Sequence, residues 1–351
     1  MSHFEERMET DLKVIRTSLW KIGEAVEAAL RNAKKVLILR DKALAYSTIL
    51  ADGPINRESR ECDRLCHVFI ARHLPGAGHL RQLASTSRVN VSLERVGDYA
   101  GTICREALQM TAPMSTQISV QLDAMFDESI SILRESRKSF HDGNAEMAIA
   151  LMQMARRVEG KMDDVYEILF AEDDRMDGAT MMAVFVVFNL LKRVADQAKN
   201  ICDQTVYAVK GIAKMPKTYR ILFLDQPGSG AAQLATAIGR KNYPESGYFI
   251  AATPGTSDPV SVDLQNFLID RGLPDEDLIT EQLEALEHDL ADFVVIVSLN
   301  GKVEDYVAKI PFHSSGLSWV MPEGDGLEQR YRFIREELQQ LMMLLAGDTA
   351  G

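Results

Sequence analysis

At 351 residues, with 46% apolar and 26% charged residues, the chain has the composition of a globular protein and the length of two or three domains. Its net charge of −12, without a lysine- or arginine-rich stripe, argues against a nucleic-acid partner. The four cysteines form no secretory framework, and the first ten residues lack the pattern of a signal peptide. The longest apolar run, residues 181–191, is too short to span a bilayer. We therefore expect a cytoplasmic protein that contacts a membrane only through its partners.

The first 214 residues are predicted to be helical. Apolar residues recur every three or four positions over residues 12–30, which is typical of an amphipathic helix. Breaks at 52–54 and 74–78 divide this part into helices, and a break at 111–113 separates its two halves. A helix over 118–140, a turn at 141–144, a helix to about residue 170 and a last helix complete the second half. Residues 1–114 and 115–214 are thus each predicted to form a three-helix bundle.

The two halves share a twelve-residue segment. Residues 93–104 (LERVGDYAGTIC) recur 98 positions later as residues 191–202 (LKRVADQAKNIC), with seven identities and no gap. Such a match predicts two copies of one helical unit, so a site in one copy has a pseudo-equivalent in the other. In the first copy Glu94 and Asp98 lie one helical turn apart, where two carboxylates can hold a cation. The alternative is that these acids form an ordinary solvated face.

The pattern changes after residue 214. Apolar runs at 220–224, 248–252, 293–299 and 316–321 predict four strands, with helix-like segments at 260–271, 280–290 and 324–345 between and after them. This alternation predicts an α/β domain with a parallel four-stranded sheet over residues 219–347. The predicted fold class is therefore multidomain, with two tandem all-α bundles followed by an α/β domain.

Three motifs of the first half identify a resemblance to a known family: residues 52–56 (DGPIN), 75–81 (PGAGHLR) and 93–98 (LERVGD). They resemble the PhoU family of phosphate-uptake regulators, over residues 4–212. The resemblance implies tandem three-helix bundles and a regulator that is not an enzyme. Such a protein represses phosphate uptake and the phosphate-starvation response by binding the ATPase of a phosphate ABC transporter and a sensor histidine kinase. Exposed helical faces also favour a homodimer.

The same resemblance implies multinuclear iron or zinc clusters at acidic motifs. Carried over to this chain, the first cluster would be held by four oxygen-bearing side chains: Asp52, Asn56, Glu94 and Asp98. Oxygen ligands on facing helices suit hard cations, and crowded carboxylates need a counter-charge. If these acids form only a solvated face, the chain needs no metal.

The second half departs from the family pattern. Its equivalent positions carry Glu159, Asp163 and Asp196, but Lys192 replaces the expected glutamate. A lysine ammonium can neutralise the remaining acids in place of a metal ion. We therefore expect the second site to be weak or empty.

The loop after the first predicted strand, residues 221–231 (ILFLDQPGSGA), resembles low-molecular-weight protein tyrosine phosphatases and the related arsenate reductases. In those enzymes a cysteine nucleophile and an oxyanion-binding arginine stand where this chain has Asp225 and Ala231, and Glu323 lies at the general-acid position. Without the thiol and the guanidinium we expect an inactive domain.

Two alternatives to the regulator remain open. Gly228, Ser229 and Gly230 precede a predicted helix, where backbone amides can bind an anion. The first alternative is therefore a phosphatase-type enzyme or a small-anion-binding protein that acts through the α/β domain. The second is a purely structural interaction module.

Overall fold

The computed structural model describes residues 3–171, 176–212, 218–274, 276–311, 314–321 and 326–347. It divides into two compact units, Met1–Lys214 and Met215–Gly351, which we call the helical unit and the α/β unit. Each unit has hydrophobic clusters of its own.

The described part of the helical unit contains seven α-helices: α1 (His3–Leu39), α2 (Lys42–Leu50), α3 (Asp52–His73), α4 (Ala77–Gln109), α5 (Thr116–Asp142), α6 (Ala145–Ala171) and α7 (Gly178–Lys210). The first half has four of these helices, not the predicted three, because α2 is a separate short helix. Asp41 caps α2 by accepting hydrogen bonds from the backbone of Ala43 and Leu44. Only Ala51 separates α2 from α3.

The start of α7 is fixed by a network around Asp177. Its carboxylate accepts hydrogen bonds from the backbone of Ala179 and Thr180, and from the hydroxyl of Thr111 at 2.7 Å. Bonds from Thr111 and Thr180 lower the pKa of Asp177 to about 2. Because Thr111 belongs to the segment between α4 and α5, this network joins that segment to the helix that carries the second repeat.

A continuous core runs through both halves of the helical unit. Helix α4 packs along α7, and the repeated apolar residues of both helices, apart from Cys202, belong to the same hydrophobic cluster. Leu93 and Val96 on α4, like Leu191 and Val194 on α7, are at most 1% exposed. The shared face of the repeat is therefore the structural centre of the unit.

Helix α7 is, among the described residues, the one helix that is long and apolar enough to cross a membrane by length and composition. Half of its most apolar window is buried inside the protein. Its apolar face, which includes Val187, Phe188 and Leu191, lies in the shared core, so packing accounts for its composition.

The α/β unit contains a parallel sheet of five strands in the order β3-β2-β1-β4-β5: β1 (Tyr219–Leu224), β2 (Gly247–Thr253), β3 (Glu281–Gln282), β4 (Val295–Ser298) and β5 (Ser315–Ser318). The prediction of a parallel sheet is confirmed, but the count of four strands was wrong. The two-residue β3 is too short to show a hydrophobic pattern. The segment that follows it, Leu283–Asp292, is a 3-10 helix and overlaps the helix-like segment predicted over 280–290.

Both faces of the sheet are covered. Ile221 and Phe223 of β1 pack against α8 (Ala231–Asn242), α9 (Val262–Asp270) and α10 (Leu327–Ala346). Leu222 and Leu224 face the other way, toward the 3-10 helix. The strand order reverses between β1 and β4, and in sheets of this type ligands bind beyond the carboxyl ends of the strands at that reversal.

A buried ion pair joins α1 to α5 in the helical unit. Glu27 accepts hydrogen bonds from Arg137 Nη1 at 2.9 Å and Arg134 Nε at 2.8 Å, and also pairs with Arg31. Arg137 is 5% exposed and its guanidinium lies 5.0 Å from the ring centroid of Trp20. Gly23 makes room for it, since a Cβ there would lie 2.0 Å from Arg137 Nε.

We expect Gly23→Ala to displace the Arg137 guanidinium and leave Glu27 partly unpaired in the interior. Breaking a buried ion pair costs about 3 kcal/mol of unfolding free energy, measurable by denaturant unfolding followed by circular dichroism. The control is Gly101→Ala, because the nearest atom to its new Cβ is 3.6 Å away, on the Arg105 side chain. That helical substitution should be neutral or stabilise the protein by up to about 1 kcal/mol. Equal effects of the two substitutions would contradict the role given to Gly23.

Candidate functional sites

The candidate site of the first half lies where α3 faces α4. Asp52 and Asn56 stand one turn apart on α3, and Asn56 Nδ2 donates a hydrogen bond of 2.9 Å to Asp52 Oδ2. Asp52 Oδ1 and the amide oxygen of Asn56 are buried and accept no hydrogen bond from the described residues. Glu94 and Asp98 stand one turn apart on α4. The structure thus brings the predicted residues of the first half together.

The carboxylates of this site repel one another. Loss of water around Asp98, and then the negative charges of Glu94 and Asp52, raise the pKa of Asp98 to about 6. The guanidinium of Arg105 offsets only part of this rise. A carboxyl with this pKa is ionised at neutral pH at a cost, which a nearby cation would reduce.

The donor set fits a hard cation in chemical type, since it consists of three carboxylates and an amide oxygen. The buried, unpaired oxygens of Asp52 and Asn56 add to that fit. The positions of these side chains do not yet form a metal site. Among the described residues, no group of three or more His, Cys, Asp or Glu side chains is arranged to hold a metal ion. Binding by all four side chains would therefore require some of them to rotate.

The pseudo-equivalent site has a different electrostatic arrangement. Lys192 Nζ lies 3.6 Å from Asp196 Oδ2, so a covalently attached ammonium supplies a counter-charge one turn away on α7. The side chains of Glu159 and Asp163 lie outside the described part of the structure. A lysine, Lys192, thus stands in the second half at the position that Glu94 has in the first.

The loop after β1 is organised around Asp225, whose side chain is 1% exposed. Its Oδ2 accepts hydrogen bonds from the backbone N–H of Ala231 at 2.8 Å and of Ala232 at 3.2 Å, at the start of α8. Its Oδ1 accepts one from the N–H of Gln226 at 2.8 Å and one from Asn300 Nδ2 at 2.5 Å. The carboxylate of the chain itself therefore occupies the amino end of the helix.

The predicted anion-binding residues lie in this loop. The N–H of Gly228 donates to Asp258 Oδ2 at 2.6 Å, and the N–H of Ser229 donates to the carbonyl of Gln226 at 3.2 Å. An incoming anion would compete with these internal acceptors and with the charge of two aspartates. Glu323, the candidate general acid, lies outside the described residues.

The sequence analysis did not single out Asn300, which bonds to both Asp225 and Ser229. Asn300 follows β4, and the hydroxyl of Tyr306 donates to its backbone carbonyl at 2.5 Å. A polar residue directly after a strand at the reversal of strand order is the signal that points to it. That signal becomes readable only once the order of the strands is known.

Comparisons with known proteins find similarity to one family, and both matches of its model lie in the helical unit. The family model for the PhoU domain matches residues 19–107 and 122–205. The chain is 27% identical over 212 residues to the phosphate-specific transport system accessory protein PhoU of Escherichia coli (strain K12), covering 60% of this chain and 88% of that protein. It is 26% identical over 212 residues to the PhoU homolog of Pseudomonas putida, covering 60% of this chain and 83% of that one.

Two solved structures each resemble a little under three fifths of this chain. The crystal structure of PhoU from Pseudomonas aeruginosa matches with a TM-score of 0.56 and 26% identity, covering 58% of this chain and 99% of that one. PhoU from Streptococcus pneumoniae matches with a TM-score of 0.56 and 24% identity, covering 59% and 99%. The two matches of the family model both fall within the helical unit, one in each predicted half.

The pKa of Asp98 predicts how its charge affects stability. An aspartate ionises near pH 4 in an unfolded chain and near pH 6 here, so the folded state holds the proton more tightly. The stability that this provides is present below pH 4 and lost as the pH rises to about 6. In the presence of a chelator, Asp98→Asn should therefore raise the melting temperature at pH 7.5 by about 2–4 °C, but have little effect near pH 4.

The control for this experiment is Asp196→Asn, which removes the repeat-equivalent carboxylate. Because Asp196 is paired with Lys192, its loss should not stabilise the protein at pH 7.5. A gain of the same size in both variants would show that the effect is general and that the charges around Asp98 do not cause it.

Asp225→Ala should destabilise the α/β unit, because three backbone N–H groups and the Asn300 amide lose their acceptor. We expect a loss of about 3 kcal/mol in unfolding free energy. The chain has two tryptophans, and Trp319 is 6% exposed in the core of this unit. In a Trp20→Phe background, Trp319 fluorescence reports its unfolding.

The matched control is Asp258→Ala, whose side chain accepts from the exposed Gly228. Its effect should be below about 1 kcal/mol, since water can replace that single bond. If the two substitutions cost the same, Asp225 does not organise the loop.

Proposed function

We propose that the protein belongs to the PhoU family, whose domain model matches residues 19–107 and 122–205, and that it is a phosphate-responsive regulator that represses phosphate uptake and the phosphate-starvation response. The observation that carries the proposal is the match to the E. coli protein, which covers 88% of a phosphate-specific transport system accessory protein. We further propose that the two family-model matches correspond to tandem helical bundles derived from one duplicated unit.

The proposed mode of action is binding. The partners would be the ATPase of a phosphate ABC transporter and a sensor histidine kinase, which the protein would contact from the cytoplasm. Support comes from the names of the relatives, which are transport-system accessory proteins and not enzymes. Contact with the ATPase would bring the regulator to the membrane without a membrane span of its own.

The first-half site is proposed to bind iron or zinc through Asp52, Asn56, Glu94 and Asp98. A bound cation would supply positive charge, and the residues of the chain would position it between α3 and α4. The raised pKa of Asp98 supports this role, because it reports mutual repulsion that positive charge would relieve. Lys192 supplies such a charge in the second half, so we propose that the second site binds metal weakly or not at all.

The α/β unit is proposed to be a non-catalytic relative of low-molecular-weight phosphatases. Support comes from the strand, loop and helix formed by β1 and α8, and from Asp225 at the nucleophile position. A carboxylate that accepts four hydrogen bonds from the chain has no free lone pair directed at a substrate and repels a phosphate dianion. Phosphatase activity is therefore the less favoured alternative.

The test is a phosphate-starvation reporter in cells that lack this protein and grow in ample phosphate. We expect derepression of at least tenfold, restored to the repressed level by the wild-type gene. Glu94→Ala/Asp98→Ala should fail to restore repression, because it removes two of the proposed metal ligands. Immunoblotting checks that the variant accumulates to the wild-type level.

The control variant is Lys192→Ala/Asp196→Ala, which removes the equivalent pair in the second half and should restore repression. If both double variants fail, the helical surface matters but the metal proposal is wrong. If the reporter does not respond to loss of the gene, the regulator proposal itself is wrong.

A further inference from the structure

A polar cleft of about 410 Å³ lies between α3, α4 and α7 of the helical unit. Its charged side chains come from all three helices: Asp63, Arg88, Arg95 and Asp203, with His67 beside them. Arg95 directly follows Glu94, but none of the four candidate metal ligands lines the cleft. It is therefore a separate site from the carboxylate cluster.

The cleft contains hydrogen-bond acceptors that the protein does not satisfy. Asp63 Oδ1 and Gln204 Oε1 are buried and have no hydrogen-bond partner among the described residues. A buried acceptor without a donor is unfavourable, since it has lost water and gained nothing in return. A ligand that carries an O–H or N–H group would remove this cost once the Asp63 or Gln204 side chain rotates toward it.

The cleft also contains donors without acceptors. Within the part of the chain that the structure describes, neither Arg88 nor Arg95 forms an ion pair or a side-chain hydrogen bond, and both are exposed. Guanidinium groups bind oxyanions through pairs of N–H donors. Ser92 and Gln197, which are 6% and 7% exposed, add buried polar groups to the lining. A ligand that fits must therefore accept and donate hydrogen bonds at once.

The duplication shows that this polarity is not a general property of the scaffold. The residues of α7 that stand 98 positions after Ser87, Arg88 and Ser92 are Phe185, Val186 and Leu190. Three polar lining residues thus have apolar equivalents in the other copy. At these three positions α4 is polar where α7 is apolar.

We propose that this cleft binds a phosphate group, either inorganic phosphate or a phosphate monoester. Inorganic phosphate keeps at least one O–H near neutral pH, which can donate to Asp63, while its anionic oxygens accept from Arg88 and Arg95. The phosphate of a monoester is mostly a dianion at that pH, so in glycerol 3-phosphate the donor to Asp63 would be a hydroxyl of the glycerol part. Sulfate has the same shape but no proton to donate, so it leaves Asp63 facing an anion. The volume of the cleft also admits the organic part of a monoester. The inference rests on the cleft alone and not on the proposed regulatory role.

The test is isothermal titration of the full chain with inorganic phosphate, glycerol 3-phosphate and sulfate, at pH 7 with a chelator present. The chelator excludes binding through a metal ion. We expect saturable binding of at least one phosphate compound and sulfate binding at least tenfold weaker. Glycerol 3-phosphate binding tenfold more tightly than inorganic phosphate would identify a monoester as the ligand, and the reverse order would identify the free anion.

Substitutions test whether binding occurs in this cleft. Arg95→Gln should weaken phosphate binding at least tenfold, whereas Arg193→Gln, the exposed repeat-equivalent arginine outside the cleft, should change it less than twofold. Asp63→Asn should reduce the preference for phosphate over sulfate to threefold or less, because an amide N–H can donate to sulfate. Arg88→Gln is the second variant if Arg95→Gln fails to fold by circular dichroism.

Either of two results overturns the proposal. The first is that neither phosphate compound binds to the wild-type protein. The second is that Arg95→Gln and Arg193→Gln lose the same amount of phosphate affinity. A preference for phosphate that survives Asp63→Asn overturns the role given to that carboxylate. None of these results depends on the reporter assay, so the two proposals can fail separately.

Discussion

The packing of α4 against α7 is the constraint on which the helical unit depends. These helices carry the duplicated segment, and its repeated apolar residues are all at most 1% exposed: Leu93, Val96, Ala100, Ile103 and Cys104 on α4, and Leu191, Val194, Ala198, Ile201 and Cys202 on α7. A close-packed interior tolerates little change in side-chain volume. Divergence between the copies is therefore concentrated on the other faces of the two helices, where Glu94 acts on Asp98 and Ser92 lines the cleft.

In the α/β unit one buried charge has a comparable effect on its surroundings. A carboxylate at the amino end of a helix is stabilised by free N–H groups and by the helix dipole. Asp225 receives this stabilisation from α8 and additional donors from Gln226 and Asn300. The chain's own carboxylate therefore occupies the position at the start of α8 where a bound anion would otherwise lie.

Much of this arrangement could be predicted from the sequence, and the exceptions have physical causes. Hydrophobic periodicity and turn residues located α5 and the end of α6 to within a few residues, and the repeat indicated that α4 and α7 are equivalent. The break at Arg40 and Asp41, which separates α2 from α1, and the two-residue β3 carry too few residues to produce a pattern. The leucines at 283, 286 and 290 fit an α-helix, but the segment folds as a 3-10 helix against the sheet. The polar cleft unites residues more than 100 positions apart, so no local pattern reveals it.

The two halves of the helical unit solve one electrostatic problem in different ways. Carboxylates one turn apart on a helix repel each other, and burial strengthens the repulsion because less water screens it. In the second half Lys192 replaces one carboxylate and pairs with Asp196, so the counter-charge is part of the chain and always present. In the first half Arg105 relieves only part of the repulsion at Asp98, and the remainder is available to stabilise a cation from solution. A site whose counter-charge comes from solution responds to the concentration of the ion, whereas a site neutralised by lysine does not. The difference between Glu94 and Lys192 thus gives the second half a permanent ion pair and leaves the first half with the carboxylate repulsion that the proposed cation would relieve.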